Sequence, residues 1–325
     1  MNPEKGALPL KKHSFRQILH TYGTLLALAA IVLVFSLIRP ASFCTFRNFI
    51  NITRQISLLV MISLGATLVM SVQEFDLSIG AMASLGGVMA ALLAVRGLPM
   101  AVCFTLPVLV SALIGLLNGW IVSHFRVLSF ITTLGMSTVL SGVIYRLSGG
   151  ATIFENIPEA FSLPGTVKLG SIPLLSILMV VFTLAFVFLL EQTTLGRKLY
   201  AIGGNEEAAK VAGIPVARYK TIAFVLCSVM ACITGMLIAS RVGSANTTAG
   251  DGYFLQSYAA VFIGCTVSRR GVPNALGTFV GAAILGVLAT GLTMLQMPTY
   301  MQNILTGSII ILAVILQRAG RRDEQ

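Results

Sequence analysis

The residues able to do chemistry are few, and they are placed poorly for it. Eleven carboxylates occur in 325 residues. Each stands at a break or an end of an apolar run: Glu4, Glu74, Asp76, Glu155, Glu159, Glu191, Glu206, Glu207, Asp251, Asp323 and Glu324. Proton- or sodium-driven transport usually leaves Asp, Glu or His inside the membrane-crossing runs, so this distribution argues against an ion-coupled carrier. His13, His20 and His124 are scattered and give no metal-ligand spacing. The five cysteines form no Cys-x-x-Cys pair, and Cys103, Cys227, Cys232 and Cys265 read as small apolar residues within the runs. There is no G-x-x-x-x-G-K-S/T to cradle a nucleotide phosphate, no Ser-His-Asp set, no H-E-x-x-H and no Gly-rich dinucleotide turn. The chain reads as non-catalytic, with no cofactor and no metal.

A second group of polar residues lies in or beside the apolar runs: Asn118, Thr132, Thr133, Asn246, Gln256 and Gln296. They could line a polar path through those runs. Each residue serves more readily as a helix–helix hydrogen bond of about 0.6–2 kcal/mol. Asp76, in the short break Gln73-Glu74-Phe75-Asp76, has two readings: it orders the break and lines or gates a path, or with Ser78 it caps the helix that follows.

The elements that must position these residues are membrane helices. Hydrophobic residues make up 56% of the chain and charged residues 10%, against about 25% charged in a soluble domain; the mean hydropathy is +0.90. The composition excludes a soluble globular protein. The net charge of +11 does not indicate nucleic-acid binding, because the basic residues sit singly between apolar runs and form no basic face with interleaved aromatics. About ten spans are expected, at 21–38, 56–72, 77–95, 100–122, 127–147, 172–190, 221–240, 253–267, 273–292 and 300–316. The third, dense in Gly, Ala and Ser, suits a helix buried among helices. The sixth is the plainest and suits a lipid-facing one. Residues 148–170 read as a longer loop. The first run is too long for a cleavable leader and should remain as an anchor. With the N-terminus inside, about two-thirds of the 22 Lys and Arg fall on the cytoplasmic side, so both termini are expected there. The organisation is a cytoplasmic arm (1–20), one all-α transmembrane domain (21–317) and a cytoplasmic tail (318–325).

One stretch breaks the apolar pattern. Residues 191–220 are polar, carry five basic residues and lie on the expected cytoplasmic side. Within them, Asn205 is expected to cap a short helix with Glu206 and Glu207 in its first turn, Lys210 near its end, Gly213 as its stop and Pro215 beyond. Gly203 and Gly204 are expected to make the turn before it. The segment reads as a surface a soluble partner could grip, or as an ordinary amphipathic surface helix. A path with no energy source of its own, and one large inner segment to receive energy, point to a partner that supplies it.

Three stretches carry a family resemblance. TTLGRKLYAIGGNEEAAKVAGIPVARYK (193–220) resembles the cytoplasmic loop of the permease subunits of ribose-type ABC importers. QEFDLSIGAMASLGG (73–87) and SFITTLGMSTVLSGV (129–143) resemble two further signatures of that family, and the likeness covers about residues 20–318. It implies the all-helical fold of type II importer permeases and a bacterial inner-membrane location. The implied partners are an ABC ATPase, a periplasmic sugar-binding protein and a second permease, identical or paralogous. It also implies docking of the ATPase at Gly196, Arg197, Gly203, Gly204, Asn205, Ala208, Ala209 and Gly213, and import of a ribose-like monosaccharide or related polyol. The alternative is a self-sufficient secondary transporter or channel. The sequence departs from the family where Gln73-Glu74-Phe75 replaces a Gly-Gly before Asp76, and where Cys265 and Arg269-Arg270 replace glycines.

Overall fold

The computed structural model of the chain describes residues 15–267 and 271–322. Arg269, Arg270 and most of the N-terminal arm lie outside the described residues. Helices dominate: α1 (Phe15–Ile38), α2 (Pro40–Phe43), α3 (Phe46–Ser71), α4 (Ile79–Val95), α5 (Met100–Phe125), α6 (Ser129–Ser148), α7 (Glu159–Thr166), α8 (Leu174–Val187), α9 (Thr194–Gly204), α10 (Glu206–Val211), α11 (Val216–Val242), α12 (Asp251–Cys265), α13 (Ala275–Met294) and α14 (Thr299–Arg322). A π turn, Phe188–Gln192, follows α8, and a two-stranded antiparallel pair, β1 (Lys168–Leu169) and β2 (Ile172–Pro173), precedes it.

Among the described residues six helices are long and apolar enough to cross a membrane: α3, α5, α6, α8 with its π turn, α11 and α13. α4 and the described part of α1 are shorter apolar helices. The core is α3, α4 and α11, flanked by α12 and α13. α4 is buried along most of its length, as its small residues require. The sixth expected span is not the most exposed. A third of the apolar window of α8 is buried, against 17% in α6 and 22% in α5. Outward-facing Leu109, Leu113, Trp120, Leu134 and Val139 on α5 and α6 explain the difference.

Backbone-to-backbone contact holds the centre together. α11 runs between α4 and α5. A Cβ at Gly235 would overlap the Ala83 carbonyl, and one at Gly119 would sit 2.6 Å from Thr221 Cα. Small residues allow this approach where no hydrophobic force acts between helices in lipid.

Three elements begin earlier than the apolar pattern suggested, among them α1, which starts at Phe15 within the expected arm. α3 starts at Phe46, where the Thr45 side chain accepts from Asn48 N, so Arg47 and Arg54 ride on a helix rather than in a linker. α11 starts at Val216, directly after Pro215, and so takes in Lys220. The 148–170 stretch is also more ordered than a loop. It contains α7, whose Phe161 is fully buried. Ser240 Oγ donates to Phe161 O at 2.7 Å and accepts from Gly165 N at 2.9 Å, fixing α7 to the end of α11.

Candidate functional site

Two polar regions meet at one end of the helix bundle. The first is the break at 72–78. α3 ends with Gln73 N bonding Met70 O and Glu74 N bonding Val69 O, with Gln73 in the left-handed region at φ 61°. Beyond it, the backbone amides of residues 75–77 are held by side chains of distant helices. Phe75 N donates to Ser129 Oγ (3.1 Å) and Leu77 N to Thr133 Oγ1 (2.9 Å), both on α6. Asp76 N donates to Tyr258 Oη at 2.7 Å, and that hydroxyl returns a bond to Asp76 O at 3.1 Å. Phe75 packs on the rings of Tyr258 and Phe262 of α12. Asp76 Oδ1 accepts from Ser78 N at 2.9 Å and from Ser78 Oγ at 2.5 Å, while Asn118 Nδ2 donates to Ser78 Oγ at 3.1 Å. Ser78 makes no capping bond of its own. Asp76 takes the turn-forming role at the start of α4, which fits a short acceptor two residues before Ser78.

Asp76, Asn118 and Thr133 are therefore gathered around this break, and all three are fully buried. Thr132 is half-buried and bonds only Leu128 O in its own helix. Asn246 lies apart, exposed, ordering its own turn by accepting from Thr248 N and Oγ1. Gln256 and Gln296 are exposed. The sequence gives no sign that Tyr258 or Ser129 serves the break, because each lies far along the chain from it.

The second region is α9–α10. Thr193 caps α9 by accepting from Gly196 N at 3.3 Å. Gly203 and Gly204 end α9 as helical residues rather than making the expected turn; extended Asn205 makes the corner. The reason is packing: a Cβ at Gly203 would overlap the Ser71 carbonyl at the end of α3, whereas one at Gly204 meets nothing within 4 Å. Asn205 Oδ1 accepts from Ala208 N at 2.9 Å. Gly213, at φ 77°, donates to Lys210 O and Ile214 N to Ala209 O, the hydrogen-bond pair of a Schellman stop. Gly196 and Ala209 are buried and Gly203 is half-buried, so they shape the segment. Arg197, Gly204, Asn205, Ala208 and Gly213 are exposed. Val211 stands 91% exposed on α10, an apolar side chain that the sequence reading passed over.

Ionic contacts link the two regions. Lys220 Nζ lies 2.6 Å from Glu74 Oε1 and 2.7 Å from Glu206 Oε2, and the other Glu206 oxygen lies 2.8 Å from Lys210. Lys210 also pairs with Glu207 at 2.8 Å. Hydrogen bonds from Lys210 and then Lys220 hold the Glu206 carboxyl below its usual range, and those from Glu206 and Glu207 raise Lys210.

A polar break packed inside the helical bundle thus stands beside a capped helix presented outward. The family model for the branched-chain amino acid transport system permease component matches residues 48–314. The chain belongs to this permease family. The ribose import permease protein RbsC of Escherichia coli K12 is 35% identical to the permease over 296 residues, covering 90% of this chain and 92% of that protein. RbsC of Bacillus subtilis is 32% identical over 319 residues, covering 98% and 99%. The D-allose transport system permease protein AlsC of Escherichia coli K12 is 31% identical over 309 residues, covering 95% and 94%. No solved structure gives a significant match. With its apolar helices, the permease is a multi-pass membrane protein.

Proposed function

We propose that the permease is the membrane subunit of an ATP-binding-cassette importer that carries a ribose-like monosaccharide or related polyol across the bacterial inner membrane. The observation that carries this reading is the match to sugar-import permeases along nearly the whole chain. ATP hydrolysis then belongs to a separate ATPase, a periplasmic binding protein delivers the sugar, and a second permease completes the path. Ten helices span the bilayer: α1, α3, α4, α5, α6, α8, α11, α12, α13 and α14. Both termini and the 191–220 segment face the cytoplasm, in keeping with the surplus of basic residues assigned to that side. The exposed apolar faces of α5 and α6 suit lipid or the second permease.

The ATPase is gripped through α10. Exposed Arg197, Gly204, Asn205, Ala208, Val211 and Gly213 supply the contact, and Gly196, Gly203 and Ala209 fix its shape. Asp76, Asn118 and Thr133 hold the break beside the path, while Thr132, Asn246 and Gln256 are the polar groups left for a passing sugar.

The test is reconstitution of the permease with its ATPase and binding protein in proteoliposomes. ATP-dependent uptake of a sugar that stabilises the binding protein is expected, and Ala208→Glu should abolish uptake while the protein still inserts. Uptake driven by an ion gradient with no ATPase present would overturn the proposal in favour of a secondary transporter.

A further inference from the structure

Lys220 is the one residue through which side-chain hydrogen bonds join the 205–213 segment to the 72–78 break, among the described residues. It belongs to neither. It projects from the first turns of α11, its side chain only 11% exposed, between an acid of the break and an acid of α10. Glu74 is itself mostly covered, at 17% exposed. Glu206 lies in the first turn of α10, where its charge also favours the helix. Lys220 bonds both acids at once; its pair with Glu74 is the shielded one, since the Glu206 side chain is 39% exposed. A shielded pair of this kind gains more from its partner's presence than a surface pair does, because removing one member leaves a charge facing a poorly solvated site.

From Glu74 the chain runs straight into the groups that hold the break. Phe75 N is held by Ser129 of α6, and Asp76 N and O by Tyr258 of α12. A displacement of α10 that carries Glu206 with it must either drag Lys220 and Glu74 or break an ion pair. Dragging Glu74 moves the backbone that α6 and α12 grip.

We propose that Glu74, Lys220 and Glu206 form a positioning triad that passes movement of α10 to the 72–78 break. The inference rests on the reading of α10 as the ATPase-docking helix and adds the route by which docking reaches the interior.

The experiment uses the full-length permease in complex with its ATPase in nanodiscs. Hydrogen exchange is compared between the nucleotide-free complex and the complex trapped with ATP and vanadate. In the wild type, trapping should change protection at both 205–213 and 72–78. In Glu74→Gln the change at 205–213 should remain, while the change at 72–78 should shrink by roughly tenfold. Lys220→Arg, which keeps the charge and reach, should retain both. A merely structural role for Glu74 would raise exchange at 72–78 equally in the two nucleotide states and leave their difference intact; that result overturns the triad. A wild-type break that does not respond to trapping overturns it too. If the ATPase fails to protect 205–213 in any variant, the docking reading falls and takes the triad with it.

Discussion

Two helices of this permease stop in the same way, and the residue at the stop differs. α10 ends at Ala212-Gly213-Ile214 and α3 at Val72-Gln73-Glu74, each with the paired bonds of a Schellman stop and a residue at positive φ, 77° in one and 61° in the other. Glycine takes that backbone without steric penalty. For glutamine the left-handed region costs about 1–2 kcal/mol. α10 is closed by its own residues: Asn205 at one end, Gly213 at the other. α3 is closed against local preference, and the contacts that follow Gln73 offset the cost, through Glu74 to Lys220, Phe75 to Ser129 and Asp76 to Tyr258. The first stop is a local device that presents a helix outward. The second is a tertiary device that fixes a break between helices.

The most disruptive test strikes where the two regions touch. Gly203→Val forces a side chain onto the Ser71 carbonyl, so a loss of about 1–3 kcal/mol or more is expected, with sugar uptake lost. Gly204→Val, one residue on in open space, should leave the melting temperature in detergent unchanged. Equal effects at the two sites would mean that α9 does not seat on α3.

Within the break, Tyr258→Phe strands the Asp76 amide and carbonyl. It should lower stability by about 1–3 kcal/mol, read as a drop in melting temperature. A reciprocal pair then tests the two stops directly. Gln73→Gly should stabilise the permease by about 1 kcal/mol and Gly213→Ala should destabilise it by a similar amount. If Gln73→Gly is neutral, the strain inferred at the end of α3 is absent.

Asn205→Ala removes the cap of α10 and should cost about 1 kcal/mol. The effect should appear as faster hydrogen exchange confined to 206–212, with the break unaffected.

The smallest effect is that of pH. Glu206 is held below its ordinary value of 4.5 in the folded protein, so its contribution is present above that value and fades as pH falls through the lower folded one. Protection of α10, corrected for intrinsic exchange, should be flat from neutral pH down to about 5 and decline below it. Glu206→Gln should remove the dependence. A decline already under way near neutral pH would contradict the assigned pairing.

How much was legible follows from the range of each interaction. α10 could be read residue by residue, because Asn205 and Gly213 act within three or four positions of themselves. The burial of α4 was legible from its glycines and alanines, and Gly-free α8 read as plain, although the outer faces of α5 and α6 proved more exposed. α7 was not legible, since its anchor, Ser240, lies 79 residues from Phe161. Gly203 looked like part of a turn and is a contact point instead, because what it meets is the end of α3.

Composition and short-range pattern determined by themselves that this is a helical membrane protein, and that residues 205–213 form a capped helix. Both depend only on neighbouring residues and on transfer of side chains from water. Only the tertiary structure decided that Asp76, Asn118, Thr133 and Tyr258 share one site, and that Lys220 links α10 to the break. Asp76 and Tyr258 are 182 positions apart, and Glu74 and Lys220 are 146 apart. Hydrogen bonds and ion pairs carry no periodicity that would announce such partners along the chain. They form because packing of α3, α4, α11 and α12 brings the groups within about 3 Å.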